Sequence, residues 1–216
     1  WRLSASYSES TPSWETLSIE HRRTDYRTWI DAPAFVPRTR ILLSQFEYNY
    51  KRAIYQFFSS VKVNWSRNWN NATMDMTITD GNYYYNWIRH DTNSDDARLS
   101  ANLSKGWSSI HLKTNLSLSG NYSNGEQYSA GQSVSYRYVS YGFQPEIIFS
   151  PSWMEIDYKG DFAFNRSRMD GEWTNTLSDW TQRLTLISTI RHIDITLSGV
   201  LYHNELQNSP SVNTLL

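Results

Sequence analysis

The chain has 216 residues, 39% hydrophobic and 15% aromatic, with a formal net charge of -1. Near-neutral charge gives no global field for nucleic acid, and the absence of Cys removes disulfides, zinc–thiolate sites and cysteine nucleophiles. A mean hydropathy of -0.62 is too polar for a helical membrane protein, and no run reaches the ~18 apolar residues of a spanning helix, although barrel strands carry no such run.

Ten strand-like segments occur in order: 1–8, 14–23, 40–50, 54–66, 97–104, 109–122, 135–149, 153–166, 178–190 and 192–204. The chain opens at Trp1 with no apolar leader ahead of the first segment, as expected of a processed chain or a piece of a longer one. In 40–50, Leu42, Phe46, Tyr48 and Tyr50 alternate with Gln45, Glu47 and Asn49. In 54–66, Tyr55, Phe57, Val61, Val63 and Trp65 alternate with Gln56, Ser60, Lys62 and Asn64. The clearest case is Ile110–Tyr122. Its even positions are Ile110, Leu112, Thr114, Leu116, Leu118, Gly120 and Tyr122; its odd positions, His111 to Asn121, are all polar. A period of two over that length predicts a strand with different surroundings on its two sides, longer than the ~5–6 residues usual in globular sheets. Segments 153–166 and 192–204 repeat it, with Gly160 and Gly199 on the apolar side. A glycine in mid-strand leaves a gap that a packed core tolerates poorly and that lipid tails fill.

Connections alternate between short (9–13, 51–53, 105–108, 150–152, 191) and long (24–39, 67–96, 123–134, 167–177), the arrangement of an up-and-down outer-membrane barrel. Within 67–96, Met74, Met76 and Ile78 alternate with polar residues, Asp80-Gly81-Asn82 offers a tight turn, and Tyr83–Ile88 continues, predicting an extramembrane hairpin. Pro33 and Pro37 predict an irregular excursion over 24–39. Aromatic residues near the segment ends predict girdles at two interfaces: Tyr48, Tyr50, Trp65, Trp69, Trp107, Tyr122, Tyr136, Tyr138, Trp153, Trp173, Trp180 and Tyr202.

The run Ser104-Lys105-Gly106-Trp107 before Leu112–Tyr122, with the Asn/Ser/Tyr-rich style of 116–123 and 195–202, resembles the carboxy-terminal half of Bacteroidetes-type outer-membrane β-barrels of the TonB-dependent receptor class. The resemblance implies a 22-stranded barrel with an amino-terminal plug domain, energy-coupled nutrient import through TonB, and a surface lipoprotein partner. The chain shows no plug or TonB-contact segment, cannot supply 22 strands, and has no final aromatic-terminated strand, so the expectation is a single partial antiparallel transmembrane barrel over 1–216, in the bacterial outer membrane and in contact with its lipid. Plug and TonB contacts would then belong to the missing part of the chain. The alternative is a soluble carbohydrate-binding or adhesin-like β-domain.

Site chemistry is sparse. The five His are scattered without ligand spacing, Asp91, Asp95 and Asp96 suggest an acidic loop tip without the order of a dedicated Ca²⁺ site, and Glu155, Asp157 and Asp161 flank Lys159 on one strand face. No nucleophile elbow or phosphate loop occurs, so neither an enzyme nor a cofactor or metal site is expected, and an outer-membrane hydrolase is disfavoured. The candidate ligand surface is Tyr83, Tyr84, Tyr85 and Trp87, whose exposed rings would stack on sugars or pack on a partner; a self-stabilising hairpin has the same composition.

Overall fold

A computed structural model describes residues 1–14, 17, 21–129, 131–190, 193–206 and 211–215, excluding the side chains of residues 129, 173 and 190. The chain is all-β. Ten strands form one antiparallel sheet: β1 (Arg2–Ser10), β4 (Thr39–Arg52), β5 (Phe57–Asn70), β8 (Thr92–Trp107), β9 (Leu112–Ser129), β10 (Gln132–Phe149), β11 (Met154–Met169), β12 (Glu172–Ile190), β13 (Ile193–Leu206) and β14 (Val212–Leu215). They lie side by side in that order, so nearly every strand pairs with its sequence neighbour in the sheet. Among the described residues the sheet does not close, because β1 and β14 are its two edges. A second, four-stranded sheet is built from β2 (His21–Arg23), β3 (Thr28–Asp31), β7 (Asn82–Ile88) and β6 (Thr73–Thr79), in that order.

Turn chemistry explains where the chain reverses. At the lower end, Ala53–Tyr55 and Ser108–Ile110 each make one 3₁₀ turn, followed by Gln56 (φ 47) and His111 (φ 52) in the left-handed region. The two turns are tied together: Gln56 Nε2 donates to Ser108 Oγ at 2.7 Å, and Gly106 N donates to Gln56 O at 3.0 Å. At the upper end, Asp80-Gly81 (φ 50 and 74) and Asp170-Gly171 (φ 47 and 88) have two consecutive positive φ values. This is the type I′ geometry whose twist matches a hairpin.

Several segments differ from the sequence expectation. Residues 123–134 and 167–177 are not long loops. β9 and β10 pair continuously up to Ser129↔Gln132, and β11 and β12, with one register shift between Ser167 and Arg168, up to Met169↔Glu172. Ile110 and His111 belong to the turn, and the strand begins at Leu112. Of the segment 14–23, His21–Arg23 is a strand of the small sheet, not of the large one, and residues 15, 16 and 18–20 lie outside the described residues. Residues 9–13 are therefore no short turn between neighbouring strands: β1 pairs with β4. The tenth strand of the large sheet is β14, beyond the last segment expected, and the turn at 191 lies outside the described residues. Inside 24–39, Thr28–Asp31 is regular and pairs in parallel with β7. Pro33 and Pro37 stand in the irregular stretch 32–38, between β3 and β4.

Register places the alternation of the strands of the large sheet on the same two faces. Partners such as Phe46↔Val63, Val63↔Leu99, Leu99↔Gly120, Leu118↔Phe143, Phe143↔Phe162, Phe162↔Trp180 and Leu184↔Gly199 carry one apolar face across the strands. Beside it, Glu47↔Lys62, Asn102↔Ser117, Asn115↔Glu146, Glu146↔Lys159 and Lys159↔Arg183 carry a polar face. The apolar face has little cover. Among the described residues Ala72 is the one buried hydrophobic side chain, while Leu99, Leu118, Tyr141, Ile147, Leu184 and Leu197 are all exposed.

Gly160 shows how that face is finished locally. A Cβ there would sit 2.6 Å from Phe162 Cε2 and 3.1 Å from Pro145 Cγ, because the aromatic ring lies over the glycine. Gly120 is different: its nearest such neighbour is Leu99 Cβ at 3.7 Å, an ordinary contact. Gly160→Val should therefore cost about 1–3 kcal/mol by overpacking, whereas Gly120→Ala should be close to neutral, as read from the equilibrium unfolding midpoints of the two variants.

Candidate functional site

The apolar face is the dominant surface of the molecule. Its aromatic members form a ladder across β10 to β13: Tyr141 stacks on Phe164 (5.1 Å), Phe143 on Phe162 (4.4 Å), Phe162 on Trp180 (6.3 Å) and Trp180 on His203 (4.9 Å). Cross-strand aromatic pairs of this kind stabilise a sheet by roughly 0.2–1 kcal/mol each. The face has a sharp upper limit. Two residues on, Leu42 gives way to Arg40, Ala97 to Asp95, Tyr122 to Asn124, Val139 to Arg137 and Phe164 to Arg166, and on β5 Arg67 separates Trp65 from Trp69. Arg67 and Asp95 lie 3.9 Å apart there, and Glu9 reaches Arg38 (3.6 Å) and Arg40 (3.5 Å). A cleft of about 560 Å³ opens at this boundary, lined by Tyr7, Arg38, Arg40, Trp69, Asn71 and Asn93 among others.

The girdle expectation divides on register. Tyr48, Tyr50, Trp65, Trp69, Trp107, Tyr122 and Trp180 stand on the apolar face, but Tyr136, Tyr138 and Tyr202 stand on the polar one. Tyr138 Oη accordingly donates to Asn165 Oδ1 at 2.9 Å.

The polar face is cross-linked. Ser104 Oγ donates to Asn115 Oδ1 (2.6 Å), the Asn115 amide donates to the Glu146 carboxylate, and Lys159 Nζ joins Glu146 (2.9 Å) to Asp157 (3.2 Å). The carboxylates suggested by Glu155, Asp157 and Asp161 thus share the polar face with Lys159, and Asp157 is committed to its ammonium rather than to a second carboxyl. A neighbouring groove of about 510 Å³ is bordered by Gln144, Asp161, Arg183 and Tyr202. Asp95 and Asp96 are not a loop tip: they lie within β8, pair with Asn124 and Ser123, and so point to opposite faces. Among the described residues no group of three His, Cys, Asp or Glu could hold a metal ion.

The small sheet separates the four candidate ligand residues. Tyr83, Tyr85 and Trp87 pair with Ile78, Met76 and Met74 and share one face with Ile30. Tyr84 lies on the other, opposite Thr77 and beside Trp29. Trp29 in turn carries His21 stacked on its ring (4.6 Å) and the Arg23 guanidinium 5.5 Å from its centroid, and His21 bonds Asp31 through Nδ1. Thus the chain brings His21, Arg23, Trp29 and Tyr84 onto one face, a grouping that 24–39 read as an irregular loop conceals. The Asp25 turn sets this edge: its carboxylate accepts the Arg27 N–H at 2.8 Å, and that bond, with another from Thr28, holds its pKa below the ordinary value. Because the folded value is the lower one, this stabilisation is present above the unfolded pKa and is lost as pH falls through the folded pKa. The two sheets meet mainly through β6 and β9, with Gly131 N donating to Asp75 Oδ1 at 3.3 Å and the His90 ring 5.1 Å from Tyr128.

No protein-family model matches the chain, and no curated protein or solved structure matches it either.

Asn115 bridges two neighbours on the polar face, whereas Asn102 accepts one bond, from Ser117 Oγ at 2.9 Å. Asn115→Ala should therefore cost about 1–3 kcal/mol, since it also leaves Glu146 short of a donor, and Asn102→Ala distinctly less, by denaturant titration of both variants.

Proposed function

We propose that the chain is part of the wall of an outer-membrane β-barrel, with the apolar face against lipid and the polar face toward an aqueous lumen. The observation that carries this reading is the continuous, uncovered apolar face bounded by polar and charged residues. On β9 the apolar alternation runs from Leu112 to Tyr122. At ~3.4 Å per residue those ten steps span ~34 Å along the strand. A strand tilted by ~45° rises ~24 Å over that length, close to the ~25 Å apolar band of outer-membrane barrels. Strands of 14 to 19 residues, β4, β5 and β8 to β13, overrun such a band and stand clear of it at the upper end. The small sheet would then lie outside the membrane, where its aromatic residues could meet solute.

Within this reading the chain supplies barrel wall to an energy-coupled importer of the TonB-dependent class, as the style of its strands suggests. The lumenal network of Ser104, Asn115, Glu146, Lys159 and Asp157 would keep the charges of that wall satisfied in a wet interior. The plug, the coupling contact and any surface lipoprotein would be supplied from outside these residues. Tyr83, Tyr85 and Trp87 on one face, and Trp29 with Tyr84 on the other, are the proposed solute contacts. A soluble carbohydrate-binding domain would need a second layer over the apolar face. The four-stranded sheet contributes four short strands and meets the large sheet mainly along β9.

Depth dependence tests the reading. Leu118→Arg, near the middle of the band, should cost about 2–4 kcal/mol, and Tyr122→Arg, at its limit, about 0–1 kcal/mol, measured as unfolding free energy in lipid vesicles. The unmodified chain should require detergent or lipid to remain dispersed. Cooperative unfolding of a monodisperse chain in plain buffer would overturn the proposal.

A further inference from the structure

The two sheets meet where β6 approaches β9, and a histidine stands beside that junction. His90 lies in the short connection between β7 and β8. Its ring sits 5.1 Å from the ring of Tyr128. Its Nε2 is shut off from solvent, makes no hydrogen bond, and faces the Glu126 carboxylate at 3.8 Å. Tyr128 and Glu126 both belong to β9, so His90 reaches from the small sheet to the large one.

Charged groups surround the imidazole from several elements. On β6, Asp75 is taken by the Gly131 N–H at 3.3 Å. In the stretch 32–38, Arg38 shares with His90 the wall of a cleft of about 570 Å³, and it leans on Glu9 at 3.6 Å. In the connection itself, the Arg89 guanidinium lies 4.9 Å from the centroid of Phe35, and Asp91 lines the same cleft. On β10, Arg137 stands diagonal to Glu126. Among the described residues the one ion pair of Glu126 is nevertheless with His90.

We propose that His90 is a proton-operated latch that holds the small sheet down on the large one. With Nε2 bare, a lone pair meets a carboxylate in a spot that water does not reach. A proton there converts the contact into a charge-assisted one. Histidine is the side chain that changes charge between pH 5 and 8. The contact exists only while the sheets are docked. Protonation therefore favours docking, and docking weakens as the pH rises through the histidine range. Below the carboxylate range Glu126 is neutral and the latch is lost again. The neighbouring bond from Gly131 N to Asp75 does not titrate in the histidine range, so the junction loosens at high pH rather than parting. Side chains that are 36% and 47% exposed make a modest pair, worth up to about fivefold in the ratio of docked to open forms. Tyr83, Tyr85 and Trp87 ride on the sheet that the latch holds, so the presentation of these proposed solute contacts follows the pH. The latch needs only that the two sheets dock, and it stands apart from the assignment of the apolar face to lipid.

The test follows amide hydrogen exchange of the full chain in detergent micelles at about pH 5.5 and about pH 8, on either side of the histidine range. Each rate is divided by that of an unprotected amide at the same pH. The Gly131 N–H reports docking at a distance from His90, and the Leu118 N–H reports the large sheet. Protection at Gly131 should be up to about fivefold higher at the lower pH, with Leu118 unchanged. His90→Phe keeps a ring against Tyr128 and removes the proton, while Glu126→Gln keeps the shape and removes the charge. Each should flatten the pH dependence at Gly131. His203→Phe, whose contacts lie within the large sheet, should retain it. Protection at Gly131 that ignores pH in the unmodified chain, or that keeps its pH dependence in both variants, would overturn the latch. So would a loss at Leu118 in step with Gly131, which marks a change of the whole fold. If His90→Phe fails to give strand circular dichroism, Glu126→Gln alone decides.

Discussion

Everything in this molecule depends on a period of two held in register across ten strands. Each strand by itself offers alternate apolar and polar side chains. Pairing with the correct neighbour adds these into one apolar sheet surface and one polar one, and a slip by a single residue would send a strand's whole apolar set to the wrong side. Among the described residues, the register is pinned at the lower end by the compact turn Ser108–Ile110 between β8 and β9 and at the upper end by the two-residue reversal Asp170-Gly171 between β11 and β12. The apolar surface so produced is not consumed within the chain, as the burial of Ala72 alone among the described hydrophobic residues makes plain. A soluble domain gains most of its stability by removing such surface from water. Here the described residues leave that surface uncovered.

The polar face obeys a different constraint. Mid-strand charges need partners: Lys159 finds Glu146 across the strands and Asp157 along its own. The cross-strand link runs perpendicular to the strands and braces neighbouring hairpins against one another. Such contacts use donors and acceptors that water could also supply, so they suit a surface that stays wet. The two faces therefore differ not only in composition but in how they are held: ring stacking and aliphatic contact on one, hydrogen bonds and ion pairs on the other.

How much of this was legible in the sequence depends on the same period. Where one face is apolar, as from Leu112 to Tyr122, alternation located the strand to within three residues at its start. Where both faces are polar, as in Ser123-Asn124-Gly125-Glu126-Gln127, alternation vanishes and the segment reads as loop. Backbone pairing does not need apolar side chains, so the hairpin continues to Ser129 regardless. Asp170-Gly171 did carry a turn signal, and it marks the true reversal inside what composition suggested was a long connection. The parallel pairing of β3 with β7 joins segments some fifty residues apart in sequence, and nothing local could announce it. The aromatic cluster was found as a string of residues, but the same period of two already required Tyr84 to face away from Tyr83 and Tyr85. The partners of Tyr84, Trp29 and His21, needed the fold.

That parallel pairing also sets an order of assembly. From β8 to β13, each strand finds its partner in the adjacent segment, so hairpins can form one after another with small loop-closure cost. β3 and β7 belong to two different excursions of the chain, one between β1 and β4 and the other between β5 and β8. Their bonds can form only after both excursions have been brought side by side by the pairing of β4 with β5. The small sheet is in this sense a clasp that fastens last, and its Trp29 records whether the strands beneath it have already found their places.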